Sequence, residues 1–369
     1  MSEVVPQATI RNANEADGPL MVELLFRAFR RWPAFELEVP TLEHLRWKMR
    51  SDPIAPRHQW VTEIDGRIVA MIGRIFRRVR LRGRDYLARD GVDAVVDPDY
   101  REQGLYGEML ECIERKPQQS DFDFGFAYST NPRLLQRRTR LGRMPLANPI
   151  QVLEMPYRAR AVVARRREEY GGSVPAPLAL LRMKLETAVK RLGHRRYWRP
   201  AKAAWSITTC GRFDDRIEGF FDEAARPFDF VIVRGTDYMN WRYCEPAAGR
   251  FTVRMAEQHG RLLGYLVFKL TEGDGCIADL LALPGRIDVV RSLVEDALRL
   301  FREAEVERVI CWMISRHPYN DVLRRYGFVD SKRGAGFSCY ATSLDSPEVQ
   351  FLADPHARIH LTHGDSDWI

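Results

Sequence analysis

Two stretches of this chain carry one pattern at a fixed displacement. Leu45-x-Trp47-Lys48 precedes Asp65-Gly66-Arg67, with Ala70 following; Met239-x-Trp241-Arg242 precedes His259-Gly260-Arg261, with Gly264 following, each position 194 residues on. Both glycines read as hairpin turns between strand-like runs, 59–63 and 68–76 in the first copy, 251–257 and 262–270 in the second. Each copy then continues as strand, helix, strand, helix. The spacing predicts these at 91–96, 102–115, 122–128 and 132–141, and again at 276–283, 287–304, 307–314 and 318–326. Matched residues in a matched order of elements imply a duplicated fold.

A length of 369 residues suffices for two cores, and 45% hydrophobic with 29% charged residues describes an ordinary globular protein. No apolar run approaches the ~20 residues of a membrane span, and no signal peptide is read at the N-terminus. Six scattered cysteines without a C-x-x-C pair read as reduced, mostly buried cytosolic thiols, so a cytoplasmic location is expected. Eight scattered histidines offer no metal spacing, and no metal is expected. The net charge of +7 is uneven: residues 158–202 hold thirteen Lys/Arg against three acids, leaving the remainder slightly acidic.

The stretch Gly91–Glu114 carries the clearest chemistry. Val92, Ala94, Val95 and Val96 form a short apolar strand, stopped by Asp97-Pro98. Met109, Leu110 and Ile113 recur at helical spacing, so a helix opens within Arg101–Gly107, directly after a strand. Amides at such an opening lack helical partners, and the helix dipole adds partial positive charge. Gly104 and Gly107 permit close approach to the main chain, and Arg101 adds a fork of donors. Glu102, Gln103, Leu105 and Tyr106 complete a cradle suited to a pyrophosphate.

With strand, glycine turn and helix in place, the chain resembles the GNAT superfamily of acyl-CoA-dependent N-acyltransferases in a tandem two-domain form. The family signature Q/R-x-x-G-x-G/A stands here as Arg101-Glu102-Gln103-Gly104-Leu105-Tyr106, with Tyr106 at the final small position and Gly107 one place later. Asn131 and Gly142 keep the spacing of the family's Asn-to-Gly-Phe feature, although Arg143 replaces the Phe; Tyr326-Gly327-Phe328 matches better in the second copy. The resemblance covers about 8–150 well and about 207–345 more loosely. It implies an α/β fold of two domains, each a mixed, mostly antiparallel sheet flanked by helices, with a basic helical connector between them. The corresponding division is 1–155 for the domain with the acyl-CoA site, 156–205 for the connector, 206–345 for a degenerate second domain and 346–369 for a tail.

By the same resemblance, acetyl-CoA or another acyl-CoA lies between the fourth and fifth strands. Ala94, Val95 and Val96 would hold its pantetheine arm, and Asn131 would assist. The second copy reads Leu281-Ala282-Leu283-Pro284-Gly285-Arg286 where the cradle belongs, so it is expected to be structural rather than a second CoA site. The expected reaction moves an acyl group to a primary amine of a small or carbohydrate-borne acceptor.

Candidate catalytic residues are Asp93 and Tyr128. Asp93 is an acid inside an apolar strand, either a general base or an ion-pair partner of Arg74, Arg77 or Arg78. The family's general-acid Tyr maps to Arg138, which cannot supply a proton near neutral pH, so Tyr128 or Tyr106 would replace it; Tyr128 equally reads as an edge-strand aromatic. The tail H-L-T-H-G-D-S-D-W-I reads as frayed, its Asp365, Asp367 and terminal carboxylate being otherwise suited to a cationic amine. The basic connector turns helical over 178–192 and suits an anionic surface, or is an interdomain helix with one solvated face; no specific nucleic-acid signature accompanies it. The competing function is a non-catalytic binding or scaffold protein that keeps the fold and, in one version, CoA.

Overall fold

The computed structural model describes residues 8–49, 59–115, 124–129, 136, 144–157, 204–271, 273–341 and 351–367. Asn131, Arg138, Gly142 and Arg143 lie outside these residues, as do nearly all of the basic connector and the terminal Trp368 and Ile369.

The first copy opens with β1 (Thr9–Asn12), α1 (Gly18–Phe29) and α2 (Thr41–Met49). A meander follows, of β2 (Trp60–Ile64), β3 (Arg67–Leu81) and β4 (Arg84–Val96), then α3 (Leu105–Arg115) and β5 (Phe124–Ser129). The chain continues through β6 (Met144–Pro145) and β7 (Ile150–Pro156) into the second copy. There β8 (Ser206–Cys210), α4 (Arg216–Ala224), β9 (Phe230–Ile232) and α5 (Thr236–Tyr243) precede β10 (Phe251–Gln258), β11 (Arg261–Thr271) and β12 (Asp274–Ala282). Last come α6 (Ile287–Glu303), β13 (Arg308–Ile314), α7 (Tyr319–Arg325), β14 (Val329–Ala341) and β15 (Ile359–His360).

The predicted hairpins form at the predicted glycines. Asp65 and Gly66 have φ of 48° and 76°, and His259 and Gly260 have 49° and 78°, the left-handed pair that tight two-residue turns require. Strand β4 begins at Arg84, not near 91, and β3 runs on to Leu81. Arginines 77, 78 and 80 hide this extension in the sequence, but β9 pairs with Val79–Leu81 and buries it. Arg77 is tolerated there because its Nε donates to Asp90 at 3.2 Å and its Nη1 to the Tyr238 hydroxyl at 2.8 Å.

One sheet path runs β1-β2-β3-β4-β5-β14-β7-β13-β12-β11-β10-β8. Its middle is an exchange: β7 pairs with β13 of the second copy, while Gly336–Ala341 of β14 pairs with β5 of the first. Helices cover both faces of the first copy. Met21, Leu24 and Leu25 of α1 pack with Val61 and Met71 on one face, and Met109 and Ile113 of α3 pack with Trp60 and Ile72 on the other. A joint core of Phe124, Phe126 and Tyr128 with Trp312, Ile314, Leu352, Ile359 and Leu361 ties both copies to the tail.

The repeat is also a contact. Trp47 Nε1 donates to the Trp241 carbonyl at 3.0 Å, Trp241 Nε1 donates to the Trp47 carbonyl at 3.4 Å, and the rings stack 4.8 Å apart. Residue i on j, with j on i, is the signature of a two-fold relation, here between copies 194 residues apart.

Candidate active site

Strand β4 creates the site by departing from ideality twice. It pairs with β5 in parallel only over Ala88–Asp90 and Phe124–Phe126; beyond Asp90 the two strands part. Its pairing with β3 also slips between Val92 and Val95, a bulge that sets Asp93 at φ 45° and leaves Ala94 exposed. Asp97 N–H donates to the Val69 carbonyl at 2.8 Å. By strand alternation the Val96 N–H therefore faces away from β3, into the gap.

At the top of the gap the chain turns into α3. Residues 101–104 are exposed, Glu102 and Gly104 have φ of 67° and 85°, and Gly104 is the residue type this conformation favours. Gly107 and Glu108 amides donate to the Gly104 carbonyl at 2.8 and 3.2 Å, so Gly107 contributes its small size and not its N–H. The amides of Gln103, Gly104 and Leu105 have no partner among the described residues. The Arg101 guanidinium sits near the Val96 and Ala28 carbonyls at 3.4 and 3.5 Å. Glu102 and Glu108 oppose an anion here, so the main chain is the principal attraction. Leu105 is buried and Tyr106 half-buried, both anchoring the helix start, and Val95 packs inward with α1 and α2.

Asp93 is neither solvent-exposed nor paired with the arginines of β3. Its carboxylate meets Lys48 Nζ at 2.7 Å and accepts from Trp32 Nε1 at 3.0 Å. Lys48 also meets Asp367 at 2.8 Å, and these side chains are under 10% exposed. Two carboxylates thus share one ammonium. Burial pushes the Asp93 carboxyl up, Lys48 opposes this, and Asp367 adds to it. The paired acids hold Lys48 protonated against its own burial, which raises its pKa.

Lys48 is not among the residues the sequence singles out for the site, and Asp367 is suited there to a cationic amine and not to a lysine of the chain itself. Lys48 lies 45 positions from Asp93, and the tail that carries Asp367 is not frayed. Residues 359–366 are all buried. Their polarity suits a cationic slot: Asp365 meets Arg234 at 2.9 Å, and Arg242 donates to the carbonyls of Gly364 and Ser366 at 2.9 and 3.1 Å. Gly364 is required, because any side chain there would collide with the Tyr243 hydroxyl. The tail acids therefore bind the chain's own cations.

Tyr128 is not on an edge either. Strand β5 lies between β4 and β14, and Tyr128 is buried against Phe126. Burial, with Asp365 and Asp90 nearby, raises its hydroxyl well above the ordinary phenol value. Asp90, where the strands part, is also buried; desolvation pushes it up to about 8 against the pull of Arg77. Two carboxyls of raised pKa, at 90 and 93, thus flank the opening of the gap.

Residues 9–138 match a family model described as an acetyltransferase (GNAT) domain. No curated protein matches the sequence at a significant level. Among solved structures the fold is similar to a probable N-acyltransferase from Enterococcus faecalis V583 (10% identity, TM-score 0.62, covering 92% of this chain and 73% of that one). It is similar to Saccharomyces cerevisiae N-myristoyltransferase with bound myristoyl-CoA (12% identity, TM-score 0.60, 92% and 85% covered). A tandem GNAT protein from the clavulanic acid biosynthesis pathway matches over 91% of this chain and 99% of its own, at 15% identity and TM-score 0.57.

Proposed function

We propose that this chain, a tandem-domain member of the GNAT superfamily, is an N-acyltransferase whose chemistry belongs to its first copy. One observation carries the reading: β4 parts from β5 beside a bulge that holds a buried carboxyl of raised pKa. The same division of the chain, 1–155, 156–205, 206–345 and 346–369, goes with it.

Acyl-CoA supplies an activated thioester when bound. Its diphosphate meets the amides of 103–105 with Arg101 beside them, Asn131 belonging to the same assignment, and its pantetheine arm runs along Ala94–Val96. The Val96 N–H is a donor for the oxyanion that forms at the carbonyl carbon. Asp93 takes a proton from the neutral amine nitrogen as it attacks the thioester carbonyl, which a carboxyl of raised pKa does better near neutral pH than an ordinary one. Lys48 and Trp32 hold Asp93 in place, and Asp367 holds Lys48. Tyr128 keeps its proton too firmly for full transfer and serves as a hydrogen-bond donor; the departing thiolate receives the proton that Asp93 has taken. Positioning supplies the larger share, on the order of 7–11 kcal/mol, against roughly 10²–10⁴-fold for the base.

The S. cerevisiae relative carries myristoyl-CoA, which supports a CoA carrier here without selecting acetyl over longer chains. The acceptor is read as a primary amine, small or carbohydrate-borne. A cytoplasmic site suits the five cysteines whose side chains are described, all free thiols, two of them buried and three half-buried; among the described residues no helix is long and apolar enough to cross a membrane. The test is CoA release from acetyl-, octanoyl- and myristoyl-CoA with a panel of amines and amino sugars. Amine-dependent release is expected. Carrier binding without release by any amine would support the scaffold alternative.

A further inference from the structure

The second copy keeps a chamber where its own parallel strands part. β12 and β13 pair from Asp274 to Ile277 against Arg308 to Cys311 and then diverge. At the divergence a cavity of about 390 Å³ opens, walled by Phe228, Leu283, Ile287, Ile314, Tyr319 and Ile359. Its size falls within the small-molecule range, and Ile287, 38% exposed, stands at its mouth.

The interior offers little to a polar ligand. His317 accepts from the Tyr319 N–H on Nδ1 at 3.2 Å, and its Nε2 meets His360 Nδ1 at 3.0 Å, so neither nitrogen faces the chamber. The Tyr319 hydroxyl accepts from the Ala282 N–H at 3.1 Å. Ala282 corresponds to Val96, since each lies one residue before the amide that bonds back to the neighbouring strand. The amide that faces the gap in the first copy is thus capped in the second. Pro284 has no N–H, and Asp288 brings a carboxylate to the first turn of α6. A diphosphate is poorly served.

The rim, in contrast, carries one cation that no described carboxylate neutralises. Arg286 is neutralised by Asp288 at 2.9 Å and Arg358 by Asp229 at 3.4 Å. Arg316 is exposed and donates to the Pro355 carbonyl at 3.1 Å, with no carboxylate partner among the described residues. We infer that this chamber binds an aliphatic acyl chain bearing an anionic head, the chain within the apolar walls and the head against Arg316. The assignment goes beyond the transfer chemistry of the first copy and does not depend on it.

Calorimetric titration of the full chain with decanoate, decylamine, CoA and decanoyl-CoA tests it. Decanoate binds and decylamine does not. Arg316→Glu weakens decanoate about tenfold or more, the scale of one charge-assisted contact, and Ala357→Trp, which fills the chamber, abolishes binding. Displacement of decanoate by decanoyl-CoA but not by CoA identifies the acyl group as still attached to its carrier; no displacement by either identifies the free acid. Absence of decanoate binding, an unchanged affinity in Arg316→Glu, or displacement by CoA alone overturns the inference. Arg316 is on the surface, so its variant remains informative if Ala357→Trp fails to fold.

Discussion

Asp93 and Asp279 occupy equivalent places in the two copies, two residues before Val95 and Leu281, which pair with Met71 and Tyr265. Each is linked through a cation to an acid of the tail: Asp93 to Lys48 to Asp367, Asp279 to Arg234 to Asp365. Their surroundings differ. Asp279 pairs with Val267, next to a bulge of its own strand at Ala278, and accepts from Arg234, Tyr265, Tyr243 and the Leu280 N–H. Arg234, with His360 beside it, holds the carboxyl far below the ordinary range despite burial. Asp93 sits in a bulge at positive φ, has two donors, and is pushed upward. A saturated carboxylate fixes a structure; a strained and under-supplied one remains able to take a proton. On the proposed reading, the duplicated fold keeps its architecture in one copy and its reactivity in the other.

Four experiments probe that contrast, strongest first. Arg234→Met leaves Asp279 and Asp365 buried without their cation and is expected to cost about 3–5 kcal/mol in chemical denaturation. A loss below about 1 kcal/mol would deny the second copy its structural role. Asp93→Asn is expected to lower kcat roughly 10²-fold or more, about 2.7 kcal/mol, with the acyl-CoA KM nearly unchanged. In the wild type, kcat/KM should rise with pH through a value above the ordinary carboxylate range, and unchanged turnover in the variant would remove Asp93 from the mechanism.

Third is Lys269, which reaches across the copies to lie 3.2 Å over the Phe35 ring and has no hydrogen-bond partner among the described residues. Burial lowers its pKa from 10.5 to about 7. The unfolded chain therefore binds the extra proton between these values. Stability contributed by the neutral amine is present above 10.5 and falls away as pH drops to about 7, with a slope of up to ~1.4 kcal/mol per unit. Lys269→Met should flatten that slope; an unaltered pH profile would mean the amine is charged in the fold. Smallest is the stacked pair on the two-fold relation. A double-mutant cycle of Trp47→Leu and Trp241→Leu should give a coupling of about 0.5–1.5 kcal/mol, and additivity would show that the two copies do not support one another there.

Much of the frame was legible because its signals are local. Alternating or continuous apolar runs, stopped by Asp65-Gly66 and His259-Gly260, place the hairpins, and α6 at Ile287–Glu303 follows the expected 287–304 closely. What escaped depends on distant partners. Arginines 77, 78 and 80 read as a strand end until β9, about 150 residues on, is seen to cover them. The exchange of β7 and β14 leaves no periodic trace, since each strand reads alike in either sheet. Asp93 was noticeable as an acid in an apolar run, but its partner Lys48 looked like part of the repeated Trp motif. The tail read as solvent-facing because its acids gave no hint of the buried cations that hold them.

The division of labour between the copies is tested most directly by hydrogen exchange with and without saturating CoA. The account predicts slowed exchange at the amides of 103–105 and at Val96, with no change over 285–288 at the start of α6. Protection over 285–288 with none at 103–105 would place the carrier in the wrong copy and contradict the account.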